Sequence, residues 1–357
     1  MNKKMKTAIC MGMLMLLAFT GCQKNSEPKA ELAFVTDGDD VQGDIVNQSI
    51  WTGVEQFAKE SKKECQSYVP EERSDAAYEK TIDQAVKKGA EVIVCAGEEM
   101  ETALYQAQRE YRDVRFLLMD GVPVDEDGKE RLRGNTLSIE IAPKEAGYLA
   151  GYAAVQAGYT NLGYLGGADE KKSREYGTGF ALGINEAAKD LGLSSENITL
   201  KYRYRGTDGI SPEFLAEVEN WYREGCQVMF TDGGSYSNVV TAAAEKCGGA
   251  IIWNGGSSTS SSVVMTVRME YGNILYETLK AMEQNEFEGK THKVIGVRDG
   301  GISLEWNQDV LSAFTGEKYV SIRSKMSKDD FSIKEGDALE NPDAFAIANL
   351  TVEKFAE

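Results

Sequence analysis

The sequence predicts an α/β protein with two lobes, each built around a parallel sheet. From residue 31 onward, short apolar runs alternate with amphipathic stretches of about 10–15 residues, a pattern typical of βαβ units with helices on both faces of a sheet. Two segments recur at nearly one offset: residues 87–94 resemble 223–230, and residues 53–59 resemble 183–189. This internal repeat indicates two similar halves. Because ligands bind beyond the carboxyl ends of parallel strands, we expect the halves to face each other across a cleft.

The individual elements follow from hydrophobic periodicity and from the residues that begin and end helices. Ser211-Pro212 is typical of a helix start, and Gly89, Gly192 and Gly225 are typical of helix ends. The predicted strands are Leu32–Thr36, Ser67–Val69, Val92–Ala96, Val114–Met119, Leu162–Leu165, Ile198–Tyr204, Val228–Thr231, Ile251–Trp253 and Val294–Val297. The predicted helices lie near residues 47–61, 74–88, 99–110, 144–157, 176–190, 212–224, 237–246 and 271–285.

Composition and charge exclude several classes of protein. The chain has 357 residues, 42% of them hydrophobic and 27% charged, which is the composition of a folded protein with one large domain or two of ordinary size. Its 39 Lys and Arg residues stand against 57 Asp and Glu residues, a formal net charge of −18. A surface this acidic repels phosphate backbones, so a nucleic acid partner is not expected. The single histidine, His292, removes most catalysis that depends on imidazole.

The first thirty residues predict where the protein resides. Lys3, Lys4 and Lys6 precede an apolar stretch that is too short to span a bilayer as a mature anchor, and this stretch ends in Gly21-Cys22. The pattern resembles a bacterial lipobox, so residues 1–21 are interpreted as a signal peptide and Cys22 as the lipidated new N-terminus. A plain secretory signal with an incidental cysteine is the alternative. The polar residues 22–30 would form a tether, and we expect a lipid-anchored protein on the extracytoplasmic face of the cell membrane.

The rest of the chain offers no recognisable catalytic or metal site. Cys65, Cys95, Cys226 and Cys247 form no CxxC pair and are expected to be free core thiols, although the last two flank one strand–helix unit and are candidates for a bridge. The sequence contains neither of the common glycine-rich phosphate loops and no GxSxG elbow. We therefore expect no cofactor, no metal and no enzymatic activity.

A series of short motifs follows in order between residues 31 and 304. The motifs are Phe34-Val35-Thr36-Asp37, Asn47-Gln48-Ser49, Trp51-Thr52-Gly53, Phe116–Asp120, Glu145–Tyr152, Leu165-Gly166-Gly167, Gly179-Phe180, Gly233-Gly234-Ser235 and Asp299-Gly300-Gly301. Their order and spacing resemble the basic membrane protein family, lipoproteins with the type I periplasmic-binding-protein fold that serve ABC importers. Characterised members bind purine or other nucleosides. The resemblance implies a small polar ligand such as a nucleoside in the cleft and an ABC permease as partner. We expect a monomer.

The resemblance assigns ligand contacts residue by residue. Asp37 and Asp120, each at the end of a strand, match ligand-binding positions of the first lobe, and Asn47 is expected to cap the helix after Asp37 at the cleft. Asn254 stands where the family has an aspartate for ribose hydroxyls, a diol that a carboxylate binds more strongly than an amide does. The other assigned positions are Gly179, Gly233 and Ser235, which match backbone near the second lobe's pocket, and Arg268, near a lysine that reaches the sugar.

Both aromatic residues with which the family clamps a nucleobase are replaced here. Val46 stands where one phenylalanine stacks on the base, and Asp208 stands near the position of the other. Stacking contributes substantially to purine binding, so the identity of the base depends on other side chains. The candidate replacement platforms are Trp51, Tyr176, Tyr236 and Trp253, and packing within the fold is the alternative for each.

The two lobes are expected to exchange the chain three times, near residues 138–143, 265–270 and 300–304. The predicted lobe one contains residues 31–139 and 270–300, and lobe two contains residues 140–269 and 301–357, including a tail that resembles no known segment. The leading hypothesis is a solute-binding lipoprotein of an ABC importer. A ligand sensor or regulatory lipoprotein of the same fold, uncoupled from transport, is the competing hypothesis.

Overall fold

The computed structural model describes residues 30–167, 171–204, 210–256 and 258–355. The predicted signal peptide, Cys22 and the tether up to residue 29 lie outside the described residues, as does Asp208. Within the described ranges, every helix is too short or too polar to cross a membrane.

The described residues form strands and helices in alternation. In chain order the strands are β1 (Leu32–Val35), β2 (Cys65–Tyr68), β3 (Val92–Ala96), β4 (Arg115–Met119), β5 (Thr136–Ile141), β6 (Asn161–Gly166), β7 (Thr199–Tyr204), β8 (Val228–Thr231), β9 (Ala250–Asn254), β10 (Val263–Met269), β11 (Thr291–Ile295), β12 (Ile302–Trp306) and β13 (Thr351–Lys354). The helices are α1 (Ile45–Ser61), α2 (Asp75–Lys87), α3 (Glu101–Glu110), α4 (Pro143–Gln156), α5 (Lys171–Asp190), α6 (Pro212–Arg223), α7 (Gly234–Cys247), α8 (Tyr271–Glu283) and α9 (Gly316–Met326).

Two sheets organise these elements into two lobes. The first sheet has the strand order β11-β5-β4-β3-β1-β2 and is parallel throughout. The second has the order β12-β10-β9-β8-β6-β7-β13 and is parallel except where β12 pairs with β10. This is the two-lobed α/β architecture of the type I periplasmic-binding-protein fold, which confirms the predicted fold class.

The chain passes between the sheets three times, after β5, after β10 and after β11. Neighbouring passages are joined by backbone hydrogen bonds. The amide of Ala142 donates to the Ile295 carbonyl at 3.0 Å, and the amide of Glu270 donates to the Gly301 carbonyl at 2.9 Å. The passages therefore lie side by side. The residue at which one lobe gives way to the other stays a prediction.

Local sequence accounts for the start of α1, the helix beside the predicted cleft. Its N-cap is Asp44, whose carboxylate accepts a hydrogen bond from the amide of Asn47 at 2.8 Å. Aspartate is a favoured N-cap because its side chain accepts from an amide that the helix leaves unpaired. The expectation that Asn47 itself caps this helix was wrong, because Asn47 lies within its first turn. α6 begins at Ser211-Pro212 as predicted, with the Ser211 hydroxyl accepting from the amide of Phe214.

Glycines set the distance between α4 and α5. Gly147 and Gly151 on α4 face Gly179 and Gly183 on α5, and a Cβ added to any of the four would overlap a carbonyl oxygen of the opposite helix. Each pair is spaced by four residues, which places its members on one face of the helix. The two backbones can approach this closely only because none of these residues has a side chain.

Several elements differ from the prediction. β5 and β10 are strands, whereas both segments were predicted as crossings, and β11 covers Thr291–Ile295 rather than Val294–Val297. β10 reads VVMTVRM, a β-branched apolar run that signals a strand from sequence. The residues of the first two predicted crossings are therefore shared between a strand, β5 or β10, and the passage that follows it.

The unassigned C-terminal tail packs against the second lobe. β13 extends the second sheet by pairing in parallel with β7, and α9 buries Ile322 and Met326. Arg174 of α5 forms an ion pair with Asp337 of the tail at 2.6 Å. Neither element has a strong sequence signal of its own, since β13 is four residues long and half charged.

The four cysteines within the described residues are all free. Cys95 and Cys226 are buried, and Cys65 and Cys247 are half-buried. This agrees with the expectation of core thiols, and the candidate bridge between Cys226 and Cys247 is not formed.

Candidate functional site

Polar side chains from both lobes meet beyond the carboxyl ends of the strands. Asp120 follows β4 of the first sheet, whereas Asp232 follows β8 and Asn254 ends β9 of the second. Lys172 from the first turn of α5 and Tyr271 from the start of α8 reach towards Asp120. Parallel strands place their carboxyl ends at one edge of each sheet, which is why residues distant in sequence converge here.

Asp120 forms a contact between the two lobes. One carboxylate oxygen of Asp120 accepts from Lys172 Nζ at 2.7 Å and from the Tyr271 hydroxyl, and the other accepts from the Ile141 amide at 3.4 Å. Its side chain is 9% exposed and that of Lys172 is 37% exposed. Asp120 has a left-handed backbone, with φ of 55°, a conformation that aspartate adopts more readily than most residues. The pair links the first sheet to a helix of the second lobe.

The charges of the cleft shift the pKa values of its donors. Burial lowers the pKa of Lys172, but Asp120, together with Tyr176 and Glu98, raises it by more, so the pKa lies above its ordinary value and the ammonium stays charged. Burial raises the pKa of Tyr176 to about 12, although Lys172 and a hydrogen bond with Asn254 act in the opposite direction. Tyr176 is 3% exposed. At neutral pH the cleft therefore presents one ammonium donor and neutral phenols beside its carboxylates.

Among the described residues, the donors that hold Asp232 come from the second lobe. Its carboxylate accepts from the amide of Gly167 at 2.9 Å and from the Ser173 hydroxyl, while its backbone carbonyl accepts from the Asn254 amide group at 3.1 Å. Burial raises the pKa of Asp232, and the bonds from Ser173 and Gly167 lower it less than burial raises it. Gly233 lies directly beside Asn254, and with φ of 111° it has a backbone conformation that favours glycine. Asp232, Gly233 and Asn254 thus form one unit.

Asp37 and Asn47 form a second unit in the first lobe. The Asn47 side-chain amide donates to the Asp37 carboxylate at 3.0 Å, and the Tyr78 hydroxyl donates to the Asp37 carbonyl at 2.9 Å. Arg73 lies 4.0 Å from the same carboxylate. Asn47 is 2% exposed, whereas the Asp37 side chain is 23% exposed. Asp37 is therefore fixed in place while part of its carboxylate stays accessible.

A second contact between the lobes is apolar. Ile45 begins α1, and a Cβ added to Gly256, after β9, would lie 2.6 Å from Ile45 Cγ1. Ile45 is 41% exposed. The lobes therefore touch through this small apolar contact as well as through Asp120 and Lys172.

Four predicted site residues have structural contacts that explain their positions. Trp51 stacks on Phe34 of β1 with ring centroids 6.4 Å apart, as expected if it packs the fold. Gly179 contacts α4, where it permits close helix packing, so its position does not depend on a ligand. Arg268 Nε pairs with Glu305 on the neighbouring strand at 2.8 Å. Tyr236 packs edge-on against Phe214 and lies beside Gly167.

Two further positions complete the predicted set. Ser235 lies in the first turn of α7, next to Gly233. Val46, which replaces one aromatic clamp, is partly buried and packs against the main core. Valine has no aromatic ring, so this position cannot stack on a base.

Sequence reasoning missed Lys172, Ser173, Asp232 and Tyr271. Asp232 had a signal, because it directly follows a predicted strand of the second lobe just as Asp37 and Asp120 follow strands of the first. Lys172 and Ser173 follow Ala168-Asp169-Glu170 in a segment whose charges are typical of a solvated surface. Nothing in the sequence separates Lys172 from its neighbour Lys171; its orientation on α5 decides the pairing.

The arrangement is suited to binding a small polar ligand. Carboxylates that accept from hydroxyls lie beside an ammonium, phenols and amides that donate, which together match a small ligand carrying both donors and acceptors. No group of three or more potential metal ligands occurs among the residues that the structure describes.

Known proteins resemble the chain over most of its length. Residues 30–337 match the family model described as ABC transporter substrate-binding protein PnrA-like. The ABC transporter nucleoside-binding protein BmpA of Lactococcus lactis subsp. cremoris (strain MG1363) is 21% identical over 85% of this chain and 92% of its own length. Basic membrane protein D of Borreliella burgdorferi (strain JD1) is 26% identical over 67% of this chain and 68% of its own. An ABC transporter solute-binding protein from Conexibacter woesei DSM 14684 superposes with a TM-score of 0.66 at 16% identity, covering 85% of this chain and 98% of its own, which supports the fold assignment.

Proposed function

Since the chain belongs to the family of PnrA-like ABC transporter substrate-binding proteins, we propose that it binds a nucleoside or a closely similar polar solute between its lobes and delivers it to an ABC permease. The proposal is supported by the position of Asp37, Asp120, Asp232 and Asn254 at the carboxyl ends of strands from both sheets, and by the bond from Lys172 of the second lobe to Asp120 of the first. A relative that covers most of the chain is named for nucleoside binding. We take the proposed ligand class, nucleosides, from the name of this relative.

The ligand's hydroxyls are assigned to the carboxylates. A ribose diol presents two neighbouring protons, and a carboxylate accepts both in charge-assisted bonds. Asp232 lies beside Asn254, which stands where the family uses an aspartate, so Asp232 supplies the charged acceptor that Asn254 does not. Asp37, held by Asn47, supplies an acceptor from the opposite lobe.

Closure of the lobes would be coupled to the Asp120–Lys172 pair. The three passages, joined side by side by the bonds of Ala142 and Glu270, act as the hinge. In the described conformation Lys172 already bridges to Asp120. A ligand that accepts from Lys172 would compete with Asp120 for one ammonium, so binding and lobe contact are linked.

The proposal extends to location and partners. Cys22 would carry the lipid, residues 22–30 would form the tether, and the folded part would lie on the extracytoplasmic face of the membrane. The permease would be the macromolecular partner of a monomer.

The test is ligand screening on the chain from residue 23 onward, which retains every described element. A nucleoside at about 100 times its dissociation constant adds about 2.7 kcal/mol to the free energy of unfolding, an increase visible in a thermal melt. Calorimetry then gives the affinity for the wild type, for Asp37→Ala and for the control Asp127→Ala, whose side chain is 77% exposed in an exposed ion pair. Loss of affinity in Asp37→Ala alone supports the proposed site. No melting shift with any nucleoside, nucleobase or simple sugar would overturn the ligand class.

A further inference from the structure

A groove rich in arginine lies at the pole of lobe one opposite the cleft. Arg112, Arg115 and Arg133 line this groove of about 470 Å³, which is formed by the loops before β4 and β5 and by Phe287. Asp113 is the one acidic residue among those that line it. The chain has a net charge of −18, whereas the three guanidinium groups give the lining of this groove a positive net charge. Guanidinium groups favour phosphate because their donors match its oxygens in pairs.

The loops that carry the arginines are held by buried side chains. Gln108 is fully buried; its amide group donates to the Arg131 carbonyl at 2.6 Å, and its side-chain oxygen accepts from the amide of Arg133 at 2.9 Å. Asn135 donates to the carbonyls of Tyr111 and Val114, which flank Arg112. The two loops are therefore positioned before any ligand arrives, which reduces the entropic cost of binding.

One guanidinium is oriented by an aromatic ring. Arg115 lies over Phe287 at 5.4 Å from the ring centroid, a cation–π contact that holds the side chain at the groove while its edge donors stay available. Arg112 and Arg133 are exposed on either side. The groove thus combines one guanidinium oriented by a ring with two exposed ones.

The chain enters the fold at this same pole. The amide of Glu91 donates to the Glu31 carbonyl at 2.8 Å, and the amide of Arg115 donates to the Glu91 carbonyl at 3.0 Å, so one row of bonds runs from the first described residues to the groove. Two strand spacings separate β1 from β4, about 10 Å. The eight residues 22–29 span at most about 28 Å when fully extended. A lipid at Cys22 would therefore keep this pole close to the bilayer.

We propose that the groove binds the phosphate of an anionic phospholipid headgroup and holds the protein on the membrane by this pole of lobe one while the cleft is not engaged with the permease. The choice of a lipid over a free phosphate rests on the proposed anchor at Cys22. Because the mature chain is strongly acidic, an anionic membrane repels most of its surface. The arginine pole is the part of lobe one that the membrane attracts.

Vesicle binding tests this orientation without using the cleft. The chain from residue 23, which carries no lipid, is titrated at low salt with vesicles of phosphatidylcholine alone and with vesicles containing about 30% phosphatidylglycerol. We expect binding only to the second kind. Each arginine near an anionic surface contributes about fivefold, so Arg112→Gln/Arg133→Gln should weaken binding about 25-fold. Physiological salt should weaken it as well.

A matched control removes the same charge elsewhere. Arg298 and Arg323 are exposed arginines away from the groove, and Arg298→Gln/Arg323→Gln should leave vesicle binding unchanged. Equal loss in both double variants, or no binding by the wild type at low salt, would overturn the proposal. Glycerol 3-phosphate binding that needs the arginines while vesicles do not bind would assign the groove to a free phosphate and also overturn it. The nucleoside screen of the same variants reports separately on the cleft, so either proposal can fail alone.

Discussion

Substituting Gly179 tests whether this residue serves helix packing or ligand binding. In Gly179→Ala, the added Cβ would lie 2.8 Å from the Tyr148 amide nitrogen and would overlap the Lys144 carbonyl oxygen, both of them backbone atoms of α4. Backbone cannot rotate away as a side chain can, so α4 and α5 must separate by about 1 Å. A gap of that size removes a quarter to a half of each contact's dispersion energy along the interface.

The expected loss follows from two opposing terms. Overpacking of this kind costs about 1–3 kcal/mol, and the interlocking with Gly147, Gly151 and Gly183 places this case at the upper end. Alanine recovers about 1 kcal/mol because it is a better helix former than glycine. We expect a net loss of about 2 kcal/mol in the free energy of unfolding, seen as a lower urea midpoint and a melting temperature lower by about 4 °C.

The control is Gly316→Ala at the start of α9, where an added Cβ meets nothing within 4 Å. This variant should be neutral or slightly more stable. Equal stability of the two variants, with weakened ligand binding in Gly179→Ala alone, would refute the packing argument and restore a ligand role for Gly179.

Three further predictions concern the cleft and the thiols. Asp120→Asn should lower the free energy of unfolding by about 1–2 kcal/mol in chemical denaturation, less than for a fully buried pair because Lys172 is 37% exposed. Asp232→Asn should remove a pH dependence of stability. Burial raises the pKa of Asp232 in the folded state, so the contribution of this carboxyl to the free energy of unfolding falls as the pH rises above the pKa of about 3.9 in the unfolded state. Denaturation at a series of pH values should therefore show a flatter dependence on pH for the variant. Thiol labelling of the chain from residue 23 should reach Cys65 and Cys247 slowly and leave Cys95 and Cys226 unmodified until unfolding, because both are buried and burial raises the pKa of Cys226 to about 12.

Each of these predictions would be contradicted by a specific result. For Asp120, the exposed Asp127→Asn is the control, and an equal change in both would remove the special role of the bridge to Lys172. For Asp232, a slope identical to that of the wild type would contradict the burial argument. For the thiols, rapid labelling of three or more in the native state would contradict the packing, and only two reactive thiols in denaturant without reductant would indicate a bridge.

Half of the candidate site was accessible from the sequence, and the reason is topological. Asp37 and Asp120 could be predicted because a polar residue directly after a buried strand must lie at the carboxyl edge of a parallel sheet. The same reasoning applies to Asp232, although the resemblance drew attention to Asn254 instead. Trp51 was predicted as a ligand contact with packing as the alternative, and it stacks on Phe34. Arg268 was assigned from the resemblance and is paired with Glu305.

The sequence by itself determined the two-lobed α/β fold, because periodicity and chain reversals are local properties that each segment carries independently. It also determined the family, because several short motifs follow one another in the order and at the spacing that the family has. Only the tertiary structure decided that Lys172 rather than Lys171 bridges to Asp120, that Gly179 serves helix packing, and that β13 of the tail completes the second sheet. These facts depend on which face of an element meets a partner distant in sequence. That choice is made by the packing of the whole chain, and no local pattern encodes it.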